Sequence, residues 1–333
     1  MITRISGSVL ALAATAILTS VVPWPTATQG RVQGAGQAQA QAQGRGQAQG
    51  QPQPYRPRTG CPEDVGIDLE RCAQEKIKSF NPPKTPDGRP DMRGYWARTL
   101  QSLTLEERGP AVPEPRKAAV RRASAIVDPP DGLIPYQPWA AAQRKENFEK
   151  YVDPLAECYL PGAHRFPYIS SGGSLFLQPR GDQQVVMLHE EIHMHRVIPT
   201  DGRPHIPANI KLYEGDPIGR WEGNTLVIDI TNVNGKTWFD QIGDFLSDSA
   251  HIVERWTLFD PDMIYVQTTI EDPKVYTRPW KYALSMVRMN RVDPDFKELI
   301  EEACYEGNRD LAHLHASHGR YPGFTNLPAA GGR

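Results

Sequence analysis

The chain contains no C-x-x-C pair, no G-x-S-x-G elbow, no P-loop and no G-x-G-x-x-G fingerprint. A dithiol redox motif, a serine hydrolase, an NTPase and a dinucleotide enzyme each lack their sequence foothold. An excess of one charge is also missing: 37 Lys and Arg stand against 39 Asp and Glu, a net of −2. That balance gives no field for nucleic acid or an anionic surface. Beyond the first residues, no apolar run reaches the ~20 positions a membrane helix needs. Aromatics are absent from residues 29–58 apart from Tyr55.

The N-terminus itself is distinctive. Arg4 precedes an apolar stretch over 8–22, and Thr26, Ala27 and Thr28 follow. This order of a charged, an apolar and a small-residue region predicts a signal peptide over 1–28. Pro25 weakens the cleavage site, and no cysteine stands near it for lipid attachment. Apart from Val32 and Tyr55, residues 29–58 are Gln, Gly, Ala, Pro and Arg, with too little apolar surface to bury a core, and read as a disordered linker. The remainder is predicted to form one β-rich domain over 59–320, with a tail over 321–333. Its expected location is periplasmic or secreted, with no membrane span after cleavage.

Four cysteines are present: Cys61, Cys72, Cys158 and Cys304. An even count in an exported chain favours disulfides. Cys61 and Cys72 are close together ahead of the core, and Cys158 and Cys304 flank it. The pairing expected is 61–72 and 158–304, out of three arithmetically allowed.

Helical spacing covers Asp68–Phe80 and Trp139–Tyr151, the latter after Pro138 and before Asp153-Pro154. A charged helical piece is expected near Arg116–Ala125, and a helix over Asp295–Cys304. From Ser174 the period becomes two. Leu175–Leu177 and Val185–Ile198 read as strands. Hairpins are expected across Glu222–Asn224 and across Asp260–Asp262, and Trp280–Met289 reads as a further strand. Many strands with short turns predict a mostly-β fold. It is an antiparallel barrel or sandwich, a calycin-like barrel by preference, with a few peripheral helices.

Several segments recur as a set: Thr85–Asp91 (TPDGRPD), Ile126–Gly132 (IVDPPDG), Asp201–His205 (DGRPH), Gly219–Gly223 (GRWEG), His251–Arg255 (HIVER) and Ile270–Lys274 (IEDPK). With them the chain resembles a family of secreted bacterial proteins of unknown function. The resemblance spans roughly 80–310 and implies no reaction. That family usually carries an aromatic or polar residue before two acidic ones near 189, so the histidines there are a departure.

His189–His193 reads HEEIH and matches H-E-x-x-H. In zinc hydrolases that motif sits on a helix; here the flanking Val185–Leu188 and Val197-Ile198 are strand-like. On a strand, His189, Glu191, His193 and His195 would share one face as a metal or proton ladder. The opposite face, with Val186, Leu188, Ile192, Met194 and Ile198, would be core. Arg203 and His205 follow an Asp-Gly turn at a strand end. His251 starts a strand whose other face carries Glu254, expected to pair with an inward Arg196. Asp229 interrupts an apolar strand.

The leading expectation is an exported protein that binds a small hydrophobic or aromatic molecule. It would act on that molecule by proton transfer, as an isomerase or lyase does. His205 and His251 would be acid and base, and Asp229 or Glu191 would orient one of them. Arg203 would hold an anion, and Trp221 and Trp238 would wall the ligand. This chemistry needs no cofactor. A metal-dependent hydrolase using a divalent ion on His189, His193 and His195 is the alternative, and a non-catalytic envelope or partner-binding module the third.

Overall fold

The computed structural model describes residues 60–62, 65–99, 104–106, 124–165, 173–181, 183–306, 308 and 310–323. The expected leader, the linker and most of the charged piece near Arg116–Ala125 lie outside the described residues.

The elements in chain order are α1 (Gly66–Ser79), β1 (Gly94–Arg98), β2 (Ile126–Asp128), α2 (Pro138–Lys150), β3 (Tyr151–Val152), β4 (Ser174–Leu177), β5 (Gln184–His189) and β6 (His195–Pro199). Then follow β7 (Asp216–Glu222), β8 (Thr225–Thr231), β9 (His251–Asp260), β10 (Met263–Glu271), β11 (Trp280–Arg288), α3 (Leu311–Ser317) and β12 (Gly319–Arg320). Nine strands pair in the order β6-β5-β4-β1-β11-β10-β9-β8-β7, with β2 added on β11. Every pairing in this sheet is antiparallel.

The sheet curls into a nearly closed barrel. Its two edge strands, β6 and β7, lie against each other without forming a ladder. Gly219 makes that approach feasible: a methyl group there would sit 2.8 Å from Ile198 Cγ2 and 2.9 Å from Thr200 Cγ2. The expectation of an antiparallel barrel with few helices therefore holds.

Alternation fixes which residues fill the barrel. Leu226, Ile228 and Ile230 of β8 point inward, as do Ile252, Trp256 and Leu258 of β9. Val266 of β10 and Tyr282 and Leu284 of β11 join them in one cluster. Trp96 and Phe176 close the far side, with Phe176 against Trp256 at 5.5 Å. Each such side chain contributes about 1.5–3 kcal/mol by leaving water. Outside, α1 lays Leu69 and Ala73 over Phe259, Tyr265, Ala283 and Val287. The Cys61–Cys72 bridge ties its approach, and Cys158–Cys304 joins segments 146 residues apart. Both pairings match the expectation. Among the described residues no helix is long and apolar enough to cross a membrane.

Three expectations need correction. The run Val185–Ile198 is two strands with a 3₁₀ turn over Glu191–His193, where Ile192 and His193 have φ of 55° and 50°. The helix expected over Asp295–Cys304 is turn and coil. Tertiary contacts override its propensity: the Ile300 N–H donates to Glu190 Oε1 at 2.8 Å, and the Ile192 N–H donates to Glu302 Oε2 at 2.6 Å. Tyr321, expected in the tail, packs into the domain. β12 pairs in parallel with β3, and Tyr321 is buried edge-on against Trp238 at 5.4 Å.

Candidate functional site

Antiparallel pairing of β8 and β9 sets Asp229 opposite Val253, and hairpin pairing of β9 and β10 sets His251 opposite Glu271. All four side chains project from the outer face, because their neighbours Ile228, Ile230, Ile252 and Ile270 fill the barrel. Asp229 and His251 are thus diagonal neighbours across two strands. His205 comes from the loop between β6 and β7. Asn232 pins that loop, its side-chain amide donating to the carbonyls of Pro207 at 2.8 Å and Ile210 at 2.9 Å. The Ile206 N–H donates to Asp216 Oδ2 at 3.0 Å and fixes the residue beside the imidazole.

The result is a chain of alternating carboxylates and imidazoles. His205 Nδ1 lies 2.8 Å from Asp216 Oδ2, and His205 Nε2 lies 3.2 Å from Asp229 Oδ1. The same Asp229 oxygen lies 3.0 Å from His251 Nε2. At the far end, His251 Nδ1 is 3.6 Å from Glu271 Oε2, beyond a hydrogen bond. The His205, Asp229 and His251 side chains are each about one-third exposed (30, 31 and 38%).

Three of the four residues expected to act together, His205, His251 and Asp229, therefore meet. They meet on the outside of the barrel and not in a lumen. Glu191 does not join them; it lies in the β5–β6 turn, and the carboxylates at the imidazoles are Asp216, Asp229 and Glu271. Asp216 and Glu271 went unforeseen. Continuing the Asp260–Met263 pairing would set position 272 across from 251, and the register shift between Met263 and Ile264 brings Glu271 there instead. Asp216 left no local signal. Arg203 neighbours the site but is exposed and held bidentately by Asp201, at 3.0 and 2.7 Å. That partner draws the Asp201 carboxyl down to about 2. Trp238 is buried in the core. Trp221 lies near the Glu222 end of β7, away from Asp216 at the other end.

The shared face expected for positions 189, 191, 193 and 195 is not formed. His189 faces the barrel interior, with its Nδ1 2.9 Å from Ser174 Oγ, while His193 and His195 are exposed. The 3₁₀ turn after His189 resets the alternation, so Val185, Met187 and His189 are the inward residues of β5. Burial, with Arg196 and His195 nearby, pushes the His189 imidazole well below its ordinary range. Among the described residues, no three His, Cys, Asp or Glu side chains gather in a metal-holding geometry.

The interior carries its own charges. Arg196 Nη1 and Glu254 Oε2 pair at 3.1 Å with both side chains fully buried, and the Trp256 Nε1–H donates to the same oxygen at 2.9 Å. This is the bridge anticipated from alternation. Glu214 sends a buried carboxyl toward the same pair, accepting from the Gly162 N–H at 3.1 Å. Burial raises it to about 7, opposed by Arg196. Burial likewise lowers His164 to about 3, with Arg165 assisting. Beneath α2, Arg144 pairs with Asp244 and, at 3.4 Å, with Glu106. Asp240 lies against Asp244, and burial together with that carboxyl raises it well above the usual range.

No protein-family model, curated protein or solved structure matches the chain. The site therefore has to be read from its own chemistry.

Proposed function

We propose that the protein is exported and performs acid–base chemistry on a small molecule, using His251 and His205 joined through Asp229. The observation carrying this reading is the single Asp229 oxygen shared by the Nε2 atoms of two imidazoles, each about one-third exposed. A carboxylate that accepts Nε2–H fixes the tautomer and leaves the Nδ1 lone pair to take a proton. Among the described residues, that Nδ1 of His251 has no hydrogen bond, only Glu271 at 3.6 Å, so it is the base. In His205 both nitrogens face carboxylates, and only the cationic ring donates to both. Both protons of that ring are held by carboxylates, so His205 orients Asp229, and His251 Nδ1 takes the substrate proton and returns it, as a one-base isomerase or lyase requires.

Two disulfides and the N-terminal apolar segment support export to an oxidising compartment. The resemblance to secreted bacterial proteins agrees with that location.

The test uses carbon acids in D2O. The purified protein is incubated with a panel of small cyclic ketones, enones and 2-oxo acids, and deuterium uptake is followed by NMR. Exchange above the buffer rate is expected for at least one class, falling about 100- to 10,000-fold in His251→Ala and Asp229→Ala. His313→Ala, an exposed control on α3, should retain it. No exchange across the panel, or exchange indifferent to His251 and Asp229, overturns the reading.

A further inference from the structure

At the barrel end opposite His251, a cleft of about 330 Å³ opens beside the unzipped seam between β6 and β7. Its floor is made by two inward-facing side chains, Val185 of β5 and Trp221 of β7. Val185 is buried, and Trp221 packs partly on the core while one part of the indole stays open. The walls carry Asp87, Arg89, Gln183, Gln184 and Thr200.

Asp-Gly-Arg-Pro occurs twice in the chain, at Asp87–Pro90 and Asp201–Pro204, and the first copy lines this cleft with Asp87 and Arg89. Both turns use a left-handed glycine, with Gly88 at φ 81° and Gly202 at φ 78°. Their arginines differ. Arg203 is clamped by Asp201. Arg89 forms no ion pair among the described residues, although its backbone is held firmly. The Thr85 N–H donates to the Arg89 carbonyl at 2.8 Å, and the Arg89 N–H donates to Thr85 Oγ1 at 3.2 Å. Gln178 fastens the same segment to the β4–β5 hairpin, accepting from the Met92 N–H at 2.8 Å and donating to the Pro90 carbonyl at 2.9 Å. A fixed backbone thus presents a guanidinium at the mouth.

We propose that this mouth binds a neutral sugar, at the scale of a mono- or disaccharide, independently of the His205–Asp229–His251 site. Asp87 and Arg89 cancel in charge, which disfavours an ionic ligand as the main occupant. The Arg89 guanidinium, the Gln183 amide and the Thr200 hydroxyl supply donors and acceptors of the kind hydroxyl groups require. A single indole offers the flat apolar face against which the C–H side of a pyranose rests. Barrel mouths of this volume with a few convergent polar groups are ordinary ligand sites.

The purified protein is titrated calorimetrically with glucose, maltose, cellobiose, xylobiose and chitobiose while tryptophan emission is followed. At least one disaccharide is expected to bind with a Kd of about 1 mM or tighter. Arg89→Ala and Gln183→Ala, both exposed positions, should each weaken it about tenfold without changing Tm. Trp221→Phe should weaken binding and remove the emission change, and His251→Ala should leave binding intact. Failure of every sugar to bind up to about 10 mM, undiminished binding in Arg89→Ala and Gln183→Ala, or preference for benzoate over every sugar overturns the proposal.

Discussion

His251 and Glu254 stand on the same strand, and the sheet separates their fates. His251 faces outward, one-third exposed, beside Asp229 and Glu271. Glu254 faces inward, fully buried, against Arg196 and Trp256. The outer charges can meet a solute and exchange protons with it. The inner ones are fully buried, paired with each other, and hold one arrangement of the barrel. Ionisable groups on one strand thus divide into chemistry and architecture by parity alone. The difference is testable because the two sets should respond to substitution in opposite ways: inner changes move stability, outer ones move reactivity.

The largest stability effect is expected inside. Glu254→Leu leaves the Arg196 guanidinium buried without its carboxylate and should cost about 3–5 kcal/mol in urea unfolding. The pair replacement Arg196→Met with Glu254→Leu should recover most of that loss. If the single substitution were harmless, the inner pair would not be structural.

Glu214 gives the next effect, with a defined pH dependence. Its folded value of about 7 lies above the ordinary 4.5, so the folded chain keeps a proton that the unfolded chain releases. Its contribution is whole below pH ~4.5 and fades as the pH rises through ~7. The full span is worth about 3 kcal/mol. Glu214→Gln should remove this slope, raising Tm at pH 8 relative to wild type and far less at pH 4.5.

The buried imidazoles act with the opposite sign. His164 and His189 are held low, so below pH ~6.5 the unfolded chain takes up protons that the folded one refuses. Stability should therefore fall as the pH drops from about 6.5 toward 4. His189→Gln should flatten part of that fall, checked by thermal melts across the range. The smallest stability effects belong outside: Asp229→Asn and His205→Ala should each shift unfolding by no more than about 1 kcal/mol.

Much of the fold was legible because period-two runs and turn residues are local signals. The hairpins at Glu222–Asn224 and Asp260–Asp262, the helices α1 and α2, and the Arg196–Glu254 pair all followed from spacing. Misread elements were those decided by distant partners. The coil at 295–304 depends on carboxyl contacts between that segment and the β5–β6 turn, which no window around 300 reveals. The His189 ladder failed because a left-handed Ile192-His193 pair turned the chain between two strands. Grouping His205, Asp229 and His251 was expected because two of them sit at strand ends and the third interrupts an apolar strand. Their position outside the barrel was not, because alternation gives two faces without saying which one is enclosed.

The most direct test observes the two imidazoles themselves. In 15N-labelled protein, the ring-nitrogen NMR signals of His205 and His251 are recorded in wild type, His205→Ala, His251→Ala and Asp229→Asn. If one carboxylate oxygen joins the rings, removing either histidine should shift the Nε2 signal of the other, and Asp229→Asn should shift both while His164 and His189 stay unchanged. Ring signals that ignore one another and ignore Asp229 would contradict the shared acid–base unit.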